Sequence, residues 1–302
     1  MYIATCLEGI EDICINEVKG KKILPGRVKF EGKVRDFNSV IHVYELIKKF
    51  KFKTRDDIAT RIKKYPIKDN FKVVCERRGK HDFNSFEIQG LIGKEIGKLG
   101  YKLDFKKPGT IIFVDIIDDV CLIGVLVKEN LSKRDYRYKL SADSINPCLA
   151  YSALKLAKCK KNDIIVDSFC KDGIICIEAA KLGAKAYGFH QNIKGARINA
   201  KIAKVNIELS NKDVDWLDTC FDKKEVKIVS YIPSYSKLKP RNLIDKLIKE
   251  LFHQAEYVVK DYMVLISQKE DMLLEHKNKF NLIEKRKINI GENSYYIFSF
   301  KR

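Results

Sequence analysis

No stretch of about 18 consecutive apolar residues occurs in this chain, which removes a membrane-spanning helix from its readings. Its start, MYIATCLEGIEDICINEVKG, meets acid at Glu8, Glu11 and Asp12 and so lacks the basic, then apolar, opening of a secretory leader. The nine cysteines include no C-x-x-C pair, and Cys170 and Cys176 are too loosely spaced to read as metal ligands. Scattered thiols of this kind suit a reducing cytoplasm better than a disulfide frame. The five histidines form no H-E-x-x-H cluster, so no catalytic metal is expected. Internal repeats and low-complexity linkers are also missing.

Acid is scarce relative to base. Lys plus Arg number 59 against 40 Asp plus Glu, a formal charge of +19. A hydrophobic fraction of 45% is enough for a folded core, and 302 residues is enough for two domains or more. The excess of base runs along the whole chain and points to a polyanionic partner, nucleic acid first. The plainer reading is a lysine-rich, charge-covered surface of the heat-adapted kind.

Along the chain, MYIATC reads as a strand, GIEDICINEVKG as a helix and GRVKFEG as a strand. DFNSVIHVYELIKKF reads as a helix with Asn38 or Ser39 near its cap, which makes a small α+β unit of the first 50 residues. The stretch from Lys51 to Pro66 is basic and helical; FKVVCERRGK is a strand running into a basic turn. SFEIQGLIGKEIGKLG is an amphipathic helix capped at Ser85, and TIIFVDIIDDVCLIGVLV is a hairpin turning at Asp118 and Asp119. After the connector SKRDYRYKL the pattern alternates: helix PCLAYSALKLAK, strand DIIVDSF, helix IICIEAAKLG, strand AKAYGFH, helix IKGARINAKIAKVN, short strand VDWLD, strand VKIVSYI, helix RNLIDKLIKELFHQ and strand EYVVKDYMVLIS. Such alternation predicts a doubly wound parallel sheet, and KRKINIGENSYYIFSFK adds an antiparallel hairpin at its edge.

In IIVDSFCKDGIICIEAA a strand ends in a turn and a helix follows, the arrangement that offers backbone N–H groups to a ribose-bearing or anionic ligand. Gly173 is the only glycine of that turn, which also holds Lys171 and Asp172. Asp167 closes the strand, as a ligand group or as a helix cap. The second strand ends at His190, where a carboxylate commonly holds an adenosine ribose, and Asp218 could accept from an adenine amine. His190 reads as a ribose ligand or a solvated strand end, and Cys170 as a small core residue rather than a nucleophile. Arg77, Arg78 and Lys80 beside Phe83 suit phosphates and a stacked base. Arg134, Arg137 and Lys139 interleave with Tyr136 and Tyr138, an RNA contact or an exposed linker.

LSKRDYR, INPCLAYSALKLA and DSFCKDGIICIEAA together resemble the THUMP-containing S-adenosylmethionine-dependent RNA methyltransferases, most closely those that methylate the exocyclic amine of a tRNA guanine. CERRGKHDFNSFEIQGLIG resembles a THUMP core through Arg78, Gly79, His81, Phe83, Ser85 and Glu87, and ATCLEGIEDICINEV the ferredoxin-like unit before it. The resemblance implies an α/β protein: ferredoxin-like unit over 1–50, THUMP domain over 51–140, both α+β, then a class I, Rossmann-like methyltransferase domain over 141–302. It implies S-adenosylmethionine held by Pro147, Asp167, Ser168, Phe169, Cys170, Gly173, His190 and Asp218, and tRNA met by Arg77, Arg78, Lys80, Ser85, Arg134, Tyr136 and Arg137. Where the family shows Asp-Pro-Phe-Cys-Gly-Ser-Gly-Thr, Lys171 and Asp172 replace Gly-Ser; where it shows Asn-Pro-Pro-Tyr, this chain has Ile232, Pro233, Ser234 and Tyr235. Pro233, Ser234 and Tyr235 are the implied catalytic residues, with Tyr235 stacking on a flipped base or simply packing. The alternative is a tRNA-binding protein whose methyltransferase domain serves as a scaffold, with or without a protein partner.

Neutralising Arg77, Arg78 and Lys80 together is expected to weaken tRNA binding and to flatten its salt dependence by about two to three units of slope. Filter-binding titrations across a salt series check this; an unchanged affinity and slope removes the basic turn from the RNA surface.

Overall fold

Residues 1–61, 65–141, 144–234 and 240–302 are described by a computed structural model and fall into two units. One comprises Met1–Cys6 and Cys14–Leu131, the other Leu7–Ile13 and Ser132–Arg302. Among the described residues, no helix is long and apolar enough to cross a membrane.

In chain order the first part runs β1 (Tyr2–Cys6), α1 (Glu11–Val18), β2 (Lys21–Leu24), β3 (Arg27–Phe30), β4 (Val40–Lys51), α2 (Arg55–Thr60), β5 (Asn70–Arg78), α3 (Ser85–Lys98), β6 (Lys102–Leu103), β7 (Thr110–Ile117) and β8 (Val120–Lys128). All eight strands join one sheet in the order β2-β3-β1-β4-β8-β7-β5-β6. The expected β7–β8 hairpin forms, with Ile117 opposite Val120 across the Asp118–Asp119 turn. The helix expected from DFNSVIHVYELIKKF is instead β4, paired with β1 on one side and β8 on the other. Its apolar residues fit helical spacing, but a strand covered on both faces fits the same pattern, and the β-branched and aromatic side chains favour the strand. Helix α3 is capped by Asn84, not Ser85: the Asn84 side chain accepts from the backbone N–H groups of Phe86 and Glu87.

Asp115 is a fully buried acid inside the otherwise apolar β7. It is tolerated because it is multiply bonded. The Arg27 guanidinium from β3 grips both carboxylate oxygens, with Nη2 to Oδ1 at 2.7 Å, and the Tyr44 hydroxyl from β4 donates at 2.9 Å. The same contact holds the Arg27 proton more tightly than usual, against the opposing effect of burial.

The second unit continues with α4 (Pro147–Leu156), β9 (Ile164–Asp167), α5 (Ile174–Lys181), β10 (Lys185–Phe189), α6 (Lys194–Ala203), β11 (Glu208–Ser210), α7 (Leu217–Cys220), β12 (Val226–Tyr231), α8 (Arg241–Val258), β13 (Val259–Ser267), α9 (Asp271–Glu275), β14 (Asn281–Ile290) and β15 (Asn293–Lys301). Its sheet runs β11-β10-β9-β12-β13-β15-β14; the first five strands are parallel and β15 is antiparallel to both neighbours. The doubly wound sheet and its edge hairpin are as expected. VDWLD is a correction: Val214–Trp216 is a 3₁₀ turn leading into α7, and the third parallel strand is β11. The order reverses between β9 and β12, so a crevice opens at their carboxyl ends, where such folds place ligands.

Replacing Asp115 by Ala would leave the buried Arg27 and Tyr44 without their acceptor. Urea unfolding is expected to show a loss of about 3–5 kcal/mol, the cost of breaking a buried ion pair from one side.

Candidate functional site

The crevice is built from the strand ends upward. Asp167, the last residue of β9, accepts from the Phe169 N–H at 3.2 Å, while the Ser168 N–H donates to Ser230 Oγ of β12 at 2.8 Å. The turn then folds back on β10: the Cys170 N–H donates to the Phe189 carbonyl at 3.0 Å. Gly188 of β10 leaves room for this, since a Cβ there would lie 2.8 Å from Cys170 Sγ. Lys171 and Gly173 both have positive φ, 45° and 80°, and a Cβ on Gly173 would press on Ala196 at 2.9 Å. Gly173 is thus fixed by backbone shape and by close packing on α6.

Two cavities border the turn. One of about 280 Å³ is lined by Lys139, Leu140, Ser141, Lys171, Asp172, His190, Asn192 and Gly195. The other, of only about 10 Å³, lies among Ile145, Asp167, Phe169, Lys171 and Tyr231. The Lys171 ammonium stands 4.9 Å from the centre of the Tyr231 ring. Burial pushes the Asp167 carboxyl up to about 7, against the Phe169 and Ser230 hydrogen bonds and the nearby Lys171 charge, which favour ionisation. The same desolvation pushes the Cys170 thiol well up, as befits a core residue rather than a nucleophile.

The connector before α4 is not an exposed linker. Arg134 Nε donates to Glu178 Oε1 of α5 at 3.0 Å, and the Tyr136 hydroxyl to the same oxygen at 2.6 Å. Tyr136 is 2% exposed, with the Lys181 ammonium 4.7 Å over its ring. These two residues, expected to meet RNA, are spent inside the unit; Tyr138 and Lys139 are the exposed members. Arg137 donates to Ser144 Oγ at 3.3 Å. Asp172 accepts from the Ser141 N–H and hydroxyl, at 3.3 and 3.4 Å.

The remaining expected residues divide. Pro147 is buried at the first position of α4, behind Asn146, whose side chain caps that helix. His190 lines the larger cavity, its Nδ1 3.1 Å from the Asn192 N–H. Asp218 is not brought there: it borders a separate depression with Lys223, His253 and Gln254. The acid beside the end of β10 is Asp213, which accepts from Gln191 Nε2 at 3.1 Å and which sequence reading passed over. Ser234 donates to Gln268 Oε1 at 2.8 Å, Pro233 is buried, and Tyr235 lies outside the described residues. Asp245, Glu275 and His276 bring three potential ligand atoms within 4.8 Å of one another, but His276 and Asp245 already bond each other at 2.7 Å.

In the other unit the basic turn is held by Gly79, φ 111°, against Asp118. Arg77 and Lys80 are exposed and Arg78 half-buried; Ser85, half-buried, begins α3. Phe83 is buried and stacks on His81 at 4.9 Å between ring centres, so it offers no face to a base. The exposed aromatic near this turn is Phe86, 80% exposed, which the sequence gives no periodic reason to single out.

Residues 134–295 match the UPF0020 family, described as the RMKL-like methyltransferase domain, and residues 34–126 match the THUMP domain. The chain belongs to the RMKL-like methyltransferase family, with a THUMP domain ahead of that domain. It is 24% identical to the tRNA (guanine(6)-N2)-methyltransferase of Methanocaldococcus jannaschii, over 96% of each chain. It is 30% identical to the enzyme of that name from Thermus thermophilus, over 37% of this chain and 33% of the relative. It is 25% identical to the human U6 snRNA (guanine-N(2))-methyltransferase THUMPD2, over 74% of this chain and 44% of the relative. In fold it is similar to TrmN from Thermus thermophilus, with TM-score 0.81, 21% identity and coverage of 100% and 99% of the two chains. It is similar also to SMU.472 complexed with SAH, with TM-score 0.78, 18% identity and coverage of 99% and 97%. Ile232 stands at the position that bears Asn in the resembling motif. Ile232 is buried in the apolar cluster beneath the crevice with Phe169, Ile244 and Leu265, and offers no side-chain acceptor.

Asp167 makes stability pH-dependent. Its folded value of about 7 lies above the ordinary 3.8, so the folded state binds the proton more tightly. Its contribution is fully present at low pH and is lost as pH rises towards 7. Between pH 5 and 8 the Asp167→Asn variant is expected to gain on the unmodified protein by about 2–3 kcal/mol, measured by denaturant unfolding at each pH.

Proposed function

We propose that the protein transfers a methyl group from S-adenosylmethionine to the exocyclic amine of a tRNA guanine. The observation that carries this reading is correspondence over 96% of both chains with a relative named tRNA (guanine(6)-N2)-methyltransferase. The proposed division of labour is a ferredoxin-like unit over 1–50 and a THUMP domain over 51–140 that bind tRNA, and a methyltransferase domain over 141–302. RNA contact is assigned to phosphate-binding cations, chiefly Arg77, Arg78 and Lys80. The nine thiols are all free, which supports a cytoplasmic setting. No metal is needed for the transfer, and no protein partner is assigned.

The site fits the cofactor by its chemistry. The cavity of about 280 Å³ beside His190, Asn192 and Gly195 suits a neutral nucleoside. Buried Asp167 is an acid whose ionised form a cationic amine would stabilise. When bound, S-adenosylmethionine would supply an activated methyl group on its sulfonium. The chain's task is to hold the target amine with its lone pair aimed and to accept its protons' hydrogen bonds. Ile232 cannot do so, but Ser234 can: its hydroxyl is oriented by Gln268 and keeps lone pairs for an N–H donor.

Buried Ile232 also favours a second reading, a tRNA-binding protein without methyl transfer. Labelled-methyl transfer to bulk tRNA decides between them. Slow guanine methylation is expected, about 10²–10³ below a relative that keeps the Asn acceptor, and abolished by Ser234→Ala without loss of tRNA binding. Tight tRNA binding with no transfer would leave the second reading.

A further inference from the structure

The 29 residues from Ala179 to Ile207 hold six cations and no acid, where the chain's average of 40 acids in 302 residues would place about four. Lys181 lies over the Tyr136 ring and Lys185 begins β10; Lys194, Arg197, Lys201 and Lys204 belong to α6 and its C-cap. With 3.6 residues per turn, Lys194, Ile198 and Lys201 share the face opposite buried Ala196, Asn199 and Ala200, with Arg197 on one flank and Ile202 on the other. All five are exposed. This pattern is unfavourable for the helix alone. Lys194 with Arg197, and Arg197 with Lys201, are like-charged neighbours at i,i+3 and i,i+4. Lys194 also stands in a first turn that has no acid, where the helix dipole opposes a cation. Among the described residues, no acid forms an ion pair with any of these side chains.

The connector lies along the same helix. Both backbone groups of Lys139 bond the Asn199 side chain, and a Cβ on Gly195 would stand 3.7 Å from Lys139 Cβ. Tyr138 is 70% exposed, with the Lys139 ammonium 5.4 Å from its ring centre. Lys139 and Gly195 also line the larger cavity, so the basic patch begins at the mouth of the candidate cofactor site. Asp172, the acid of that lining, is buried and bonded to Ser141, whereas the α6 cations are on the outer face.

We infer that this patch binds the RNA strand flanking the target nucleotide, with Lys194, Arg197 and Lys201 on phosphates and the Tyr138 ring stacked on a base. The inference rests on the function proposed above. It adds to Arg77, Arg78 and Lys80 a second RNA surface, carried by the methyltransferase domain. An exposed ring beside a row of cations is the combination that holds single-stranded nucleic acid. A bilayer surface would need a broader apolar face than Ile198 and Ile202, 39% and 41% exposed, on a helix of ten residues.

Fluorescence-anisotropy titrations of bulk tRNA with the full chain, across a salt series, test this. The combined Lys194→Gln, Arg197→Gln and Lys201→Gln variant is expected to bind at least about tenfold more weakly and to lose about two to three units of salt slope. Its thermal midpoint holds or rises, because like-charged neighbours are removed, so the loss is not unfolding. Tyr138→Ala weakens binding about 5- to 150-fold, whereas Tyr138→Phe binds like the unmodified protein. Unchanged affinity and slope in the α6 variant overturn the inference and leave the proposed function standing. Binding to phosphatidylserine vesicles that the α6 variant loses, with tRNA binding unchanged, overturns it in favour of a membrane surface. An unmodified protein that does not bind tRNA removes the proposed function and the inference together.

Discussion

One buried amide ties the candidate site together. Asn199 of α6 is fully buried, and its side chain makes four hydrogen bonds. It accepts from the N–H groups of Tyr138 and Lys139, at 3.2 and 2.8 Å, and donates to the carbonyls of Lys139 and Asp172, at 2.7 and 2.9 Å. All of the amide's capacity is used, so it fixes the connector, the turn after β9 and α6 as one piece. The connector and the turn have backbone groups that no sheet or helix satisfies, and Asn199 answers for several of them. Asp172 with Ser141, and Arg134 and Tyr136 with Glu178, repeat the same device at either side.

Held this way, the turn can carry residues that a glycine-rich loop would not. Lys171 and Asp172 point in opposite senses, one towards Tyr231 and one towards Ser141. Both charges still reach Asp167, Lys171 favouring its ionised form and Asp172 opposing it. Asp167 is left in a dry environment at the switch point of the sheet, where burial rather than a partner sets its affinity for a proton. A low-dielectric site with an acid and a base at its mouth discriminates by charge, because each charge acts more strongly there than in water.

Much of this was legible in the residues. The turn from Asp167 to Gly173 reads correctly because a strand end, a positive-φ glycine and an apolar helix follow a fixed local order. Apart from VDWLD and β11, the parallel strands and main helices of the second unit are legible for the same reason, since such strands are apolar runs and their helices are amphipathic. β4 was not legible: DFNSVIHVYELIKKF satisfies both periods, and only pairing with β1 and β8 decides between them. Phe83 and Phe86 lie three residues apart on the same basic stretch, and burial alone distinguishes the packed ring from the exposed one. Asp213 and Asp218 differ by five positions, and a 3₁₀ turn in place of a strand sends the second away from the crevice.

By itself the sequence determined the class of fold, the basic character of the surface, the position of the turn and its departures at Lys171, Asp172 and Ile232. These are properties of local order and composition, which neighbours far along the chain do not alter. Tertiary structure decided which side chains face inward. Arg134 and Tyr136 look like surface residues until Glu178 arrives from α5, 42 residues beyond Tyr136, to accept from both. A polar group is driven inside only when distant partners satisfy it, and no local pattern announces a partner that folding alone brings near.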